Sequence, residues 1–216
     1  LGLRLAAGVL AESGETLRPQ DRAQLSRDIR DNAQWLIRMV ENLLTAFYPE
    51  RNIRVTNCGV SGNTSRSLLE RYERDVLTHK TEWLSICIGI NDVWRQFDLP
   101  AIPAKAVTPE QYEQNVEQMI TLMKDKVKGI FILSPYYIEP NKTDPMRRRM
   151  DEYGAICRRL AEKHGCIFVD FQAMFDEFCK YQHSSRLAWD RIHPNQMGAT
   201  LMAKAFLTAA GFDFTR

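Results

Sequence analysis

The chain has 216 residues, 44% of them hydrophobic and 26% charged, which fits one globular domain with a sizeable core. Its net charge of +2, with both signs interspersed, gives no basis for a polyanion partner, so no nucleic-acid binding is expected. The five cysteines are odd in number and lack C-x-x-C spacing, which argues against a disulfide framework or a zinc site. Four of them sit in or beside apolar runs, as small buried hydrophobes would. No apolar run is long enough to span a membrane, and a cytoplasmic location is the expectation.

The opening LGLRLAAGVLAES has a short apolar run and one arginine, and makes a poor signal peptide. In residues 19–47, Leu25, Ile29, Leu36, Val40, Leu43 and Phe47 recur at helical spacing, which predicts a long amphipathic helix. From Ile53 onward, short apolar runs alternate with helical stretches. Strands are predicted at Ile53–Asn57, Trp83–Ile88, Gly129–Ser134 and Cys166–Asp170, with the near-continuous apolar character of parallel strands covered on both faces. Helices are predicted near Ser65–Leu77, Pro109–Lys126, Pro145–Lys163 and Asn195–Ala210. Thr108 and Gln111 form a capping-box pattern with Pro109 at the first helical position. Gly165 and Gly211 sit where helix-ending glycines belong. The basic cluster Arg147–Arg149 reads as a solvated helix face. Alternation of this kind predicts a doubly wound α/β sandwich.

Three short blocks fall where the strands of an open parallel sheet present functional groups, at their carboxyl ends or in loops that reach there. Asn57–Thr64 (NCGVSGNT) has glycines that permit a tight turn, and the Gly62 amide can point at a developing negative charge. Gly89–Asp92 (GIND) places the Asn91 side-chain amide at a strand end. In Asp190–Pro194 (DRIHP), a three-residue gap lets Asp190 accept from one imidazole nitrogen of His193, leaving the other as a general base. Trp94 and Phe97 could line an acyl or sugar pocket, or could simply pack in the core. His79, His164 and His183 have no comparable setting and read as surface residues. Asp92 and Asp170 also end strands, but two carboxylates and one histidine without close spacing do not make a metal site. No phosphate-cradling Gly-rich loop is present, and no metal or cofactor is implied.

From about Leu44 onward, the runs YPERNIRVTNCGVSGNTSRSLLERYERDVL, SICIGINDVWRQFD and AWDRIHPNQMGATLMAKAF resemble the SGNH (GDSL-type) hydrolases, in the lysophospholipase L1-like esterase subgroup. The resemblance implies a flavodoxin-like three-layer α/β/α sandwich with a mainly parallel sheet. It also implies hydrolysis of a small-molecule ester, lysophospholipid or acetylated carbohydrate, by a Ser-His-Asp mechanism. Carried over by position, Gly62 and Asn91 become oxyanion donors, and Asp190 and His193 complete the triad. A domain of residues 44–216 follows, preceded by an atypical helical segment, 1–43, packed on or replacing the first strand–helix unit. Within that segment DIRDNAQWLIRMVENLL resembles the second dimerisation helix of potassium-sensing histidine kinases, which implies a chimera joined near Glu41–Ala46. No histidine precedes His79, so phosphotransfer through the segment is ruled out.

The family's first strand ends in Gly-Asp-Ser, and its serine is the nucleophile. No Gly-Asp-Ser occurs here, so the first strand is atypical or missing and the nucleophile is unknown. One expectation drafts Leu3–Ala11 as the central strand and lands Ser13 near the nucleophile position. Against it, Ala and Leu favour helix, and Glu12 places negative charge where an oxyanion must form. Ser61, Ser134, Ser184 and Ser185 lack the expected neighbours. Two readings therefore stay open: an ester hydrolase, or an inactive pseudo-hydrolase or chimeric binding protein that forms a homo-oligomer through its helix.

Overall fold

The computed structural model describes residues 36–98 and 106–215. Leu3–Ala11, Ser13 and the first part of the predicted 19–47 helix lie outside them. The described part of that helix, residues 36–47, is helical (α1). It is followed by α2 (Ser65–Glu70), a π-helical turn (Glu73–Leu77), β1 (Trp83–Cys87), α3 (Ile90–Asp98) and α4 (Pro109–Met123). Then come β2 (Gly129–Leu133), α5 (Pro145–His164), β3 (Ile167–Val169), α6 (Phe171–Cys179) and α7 (Gln196–Ala209).

The described strands form one parallel sheet in the order β1-β2-β3. Trp83 pairs with Gly129 through to Cys87 with Leu133, and Phe131 pairs with Ile167 through to Leu133 with Val169. Strand alternation sorts the side chains of β2 to two faces. Ile130 and Ile132 meet Val116, Met119 and Ile120 of α4 and Met150 and Ile156 of α5. Phe131 and Leu133 meet Phe171 and Phe175 of α6 and Met202 of α7. Helices thus cover both faces of β2, giving the α/β/α layering that the apolar strands predict, while Trp83, Ser85 and Cys87 on one face of β1 are exposed.

Helix ends follow their local signals. The Thr108 hydroxyl accepts the Gln111 N–H while the Gln111 side chain accepts the Thr108 N–H, completing the capping box. Gly165 closes α5 in the left-handed conformation, φ +69°. Asn195 caps α7 by accepting from the N–H groups of Met197 and Gly198.

Four expectations are corrected. Ile53–Asn57 is not a strand: Val55 N–H donates to the Glu41 carboxylate (3.4 Å), and the loop beyond is held by side chains rather than by a ladder. The predicted Ser65–Leu77 helix breaks into α2 and the π-helical turn. The Arg147–Arg149 cluster is not a solvated face throughout, because Arg147 is buried and ion-paired to Asp176 and Asp151. Of the cysteines, all free, only Cys157 is buried; Cys87 is exposed, on the face of β1 that also leaves Trp83 and Ser85 exposed.

The apolar face of α1 is occupied within the chain. Val40 packs with Ala203 and Leu207 of α7 and with Phe212, and the Phe47 ring lies 5.0 Å from that of Phe212. No helix among the described residues is long and apolar enough to cross a membrane.

Candidate active site

The DRIHP segment forms a tight loop just before α7. An isolated antiparallel bridge joins Ala188 to Pro194, and Asn195 N–H donates to the Leu187 carbonyl (2.7 Å). Inside the loop the two Asp190 oxygens do different work. Oδ1 accepts the backbone N–H groups of Ile192 (3.0 Å) and His193 (2.8 Å), and Oδ2 meets His193 Nδ1 at 2.5 Å. Burial pushes the Asp190 carboxyl up, but its hydrogen bond and charge contact with His193, helped by these backbone amides, hold it below the usual carboxylate value. An ionised carboxylate there makes Nδ1 the donor and leaves Nε2 as the basic nitrogen. Among the described residues Nε2 has no hydrogen-bond partner.

The GIND block heads α3. Gly89 adopts φ +126°, and a Cβ there would stand 2.8 Å from Tyr112 Oη and 3.1 Å from Pro135, so strand and helix can join this closely only through glycine. Asn91 and Trp94 are three residues apart and share a face of α3. Asn91 Nδ2 donates to the Asn63 carbonyl (3.1 Å), while the Trp94 ring meets the His193 ring edge-on at 5.5 Å. The Arg95 guanidinium lies over the same indole, 4.6 Å from its centre. One helix face therefore links the NCGVSGNT loop to the Asp190–His193 pair. Trp94 is partly buried against the core that holds Tyr112 and Ile192, and its ring also walls the imidazole.

In the NCGVSGNT loop, Gly62 takes φ +80° in a turn closed by Asn63 N–H to the Val60 carbonyl (3.2 Å). Its own N–H has no acceptor among the described residues. Arg71 ties the loop at both ends, donating to the Cys58 carbonyl (2.8 Å) and to Asn63 Oδ1 (2.7 Å). Ser65 donates to the buried Asp92 carboxylate through its N–H (2.9 and 3.0 Å) and its hydroxyl (2.5 Å), and Asn115 Nδ2 donates to that hydroxyl (2.9 Å). Burial raises Asp92 to about 6 despite those hydrogen bonds.

All four carried-over residues thus belong to one connected arrangement. The sequence reading missed the residues that hold it: Arg71, Ser65, Asn115 and the Trp94 contact. Asp92, weighed as a metal ligand, serves Ser65 instead, and Asp170 caps α6 and pairs with Arg158. His79 and His183 are exposed, and His164 meets Glu117 at 2.8 Å. No described serine is hydrogen-bonded to His193. Ser134 is fully buried and accepts from the N–H groups of Phe171 and Gln172, Ser184 is buried, and Ser61 and Ser185 are exposed.

The chain belongs to the GDSL-like lipase/acylhydrolase family of SGNH ester hydrolases, whose model matches residues 30–201. It is 49% identical over 177 residues to an acetylxylan esterase of Geobacillus stearothermophilus, across 82% of this chain and 81% of that protein. A crystal structure of an acetylxylan esterase from that organism superposes with a TM-score of 0.82 at 48% identity, covering 84% of this chain and 83% of the other. An alpha/beta hydrolase enzyme from the metagenome of Lake Arreo, Spain, superposes with a TM-score of 0.80 at 47% identity over 82% and 81%. Structures of the Geobacillus esterase include catalytic mutants that replace a serine, a histidine and an aspartate with alanine. The match begins inside the segment that resembles a kinase dimerisation helix, and the comparisons give that second resemblance no support.

Proposed function

We propose that the chain hydrolyses acetyl esters of carbohydrates, with His193 as general base, Asp190 as the carboxylate that orients it, and Gly62 and Asn91 as oxyanion donors. The observation that carries this reading is the division of labour at Asp190, whose one oxygen fixes the loop while the other fixes the imidazole. His193 Nε2 then removes a proton from a hydroxyl nucleophile as it attacks the acetyl carbonyl. It returns that proton to the leaving sugar oxygen, and water repeats the sequence to release acetate. The Gly62 N–H and the second Asn91 amide proton meet the negative oxygen of each tetrahedral intermediate. Acetylated carbohydrate is favoured over lysophospholipid by the acetylxylan esterase relative, which shares 49% identity over most of this chain.

Ser13 remains the candidate nucleophile. The test is labelling with a fluorophosphonate and mapping the modified residue by mass spectrometry, beside a His193→Ala control. A label on Ser13 that vanishes in the control supports the full triad, and a label on another serine replaces Ser13. The missing Gly-Asp-Ser block favours a second reading, an inactive pseudo-hydrolase. Folded protein that takes no label and releases no acetate from acetylated xylo-oligosaccharides would establish that second reading.

A further inference from the structure

We propose that Glu139 and Arg191 form a clamp that holds the Asp190–His193 loop in its working shape, with Glu139 as a positioning residue. The inference rests on the reading of His193 as the general base. Arg191, between the two functional residues, has φ +66°, a left-handed conformation that L side chains rarely adopt. This turn lets Asp190 Oδ1 reach two backbone N–H groups at once. Glycine would take the same shape without strain, and strain at a non-glycine residue persists only where its surroundings over-determine it.

The surroundings do so here. The Arg191 carbonyl accepts the Ile138 N–H (2.9 Å), and its guanidinium pairs with the Glu139 carboxylate, which is only 12% exposed. Glu139 is itself fixed: its carbonyl accepts from Arg147 Nη1 (2.5 Å), and its other carboxylate oxygen accepts the Asn141 N–H (2.8 Å). Arg147, 2% exposed, grips Asp176 on α6 with two nitrogens (2.9 and 2.6 Å) and Asp151 on α5 with a third (2.8 Å). Gln172 on α6 completes the brace, accepting the Tyr137 N–H (2.8 Å) and donating to Asp176 (3.0 Å). A rigid line therefore runs from two helices, through the loop after β2, to the backbone between Asp190 and His193.

The experiment compares Glu139→Ala, Arg191→Ala and Arg191→Gly in the full chain. It follows the downfield proton resonance of His193 Nδ1–H and, on an acetyl ester, kcat and KM. The expected result is loss or broadening of that resonance in Glu139→Ala and Arg191→Ala, with kcat down roughly 10- to 100-fold at nearly unchanged KM. Arg191→Gly should recover both, because glycine needs no clamp to keep its backbone. A wild-type resonance in Glu139→Ala, or an Arg191→Gly as impaired as Arg191→Ala, would overturn the proposal. The resonance does not depend on turnover, so a chain that hydrolyses nothing still decides the clamp, while its inactivity counts against the esterase reading alone.

Discussion

Asp190 holds His193 twice, by the imidazole at 2.5 Å and by the backbone N–H at 2.8 Å, so ring and main chain cannot move independently. Asp190→Asn keeps the size of the side chain but cannot favour the same tautomer, and activity on an acetyl ester should fall about 10²- to 10⁴-fold. The same variant carries a pH signature. The folded Asp190 carboxyl lies below its usual value, so its stabilising contribution is complete above the unfolded carboxylate pKa of about 3.9 and is lost as pH falls through the lower folded value. Chemical denaturation across that acid range should show a shallower pH dependence for Asp190→Asn than for the parent chain.

Asn91 has one amide proton on the Asn63 carbonyl and one to spare. If the spare proton meets the oxyanion, Asn91→Ala should lower kcat by about 10²- to 10³-fold with little change in KM, the pattern of a donor used only in the transition state. Initial rates against substrate concentration separate the two constants. A change in KM alone would assign Asn91 to ground-state binding.

The sheet and its covering helices were legible because β2 is a short apolar run buried on both faces and β3 a shorter, partly buried one, and because Thr108 and Gly165 are local signals acting on neighbours within a few residues. The Asp190–His193 pair was legible for the same reason, since its geometry closes within four residues. The supports were not. Ser65 to Asp92 spans 27 residues, Asn115 to Ser65 spans 50, and Arg191 to Glu139 spans 52, and no periodicity in the chain marks such partners. Ile53–Asn57 misled because an apolar run describes side chains and not where the backbone N–H groups go, and Val55 N–H donates to the Glu41 carboxylate.

Asp92 should make the chain less stable as pH rises. Its folded pKa, raised by burial to about 6, exceeds the unfolded value of about 3.9, so the folded state binds the proton more tightly. The stabilising contribution is full below the unfolded value and is lost as pH rises through the folded one. A shift of roughly two units corresponds to about 3 kcal/mol across that window. Asp92→Asn cannot titrate, so its denaturation midpoint should fall less with pH over the same range than that of the parent chain. A parent chain whose midpoint climbs relative to that of Asp92→Asn between about pH 4 and pH 6 would show that the Ser65 hydrogen bonds outweigh burial.

Two ion pairs of similar length should differ widely in what they contribute. Arg147 is 2% exposed and grips a quarter-exposed Asp176, whereas Lys128 and Glu82 pair at 2.7 Å with side chains 65% and 71% exposed. Arg147→Met strands a partly buried carboxylate and should cost about 3–5 kcal/mol, while Lys128→Ala should cost under about 1 kcal/mol. Urea denaturation with a shared slope measures both. Adding Asp176→Leu to Arg147→Met should restore part of the loss, because much of the cost is the charge left behind and not the bond removed. A double variant no more stable than Arg147→Met would place the loss elsewhere, in the Glu139 carbonyl and the loop that Arg147 anchors.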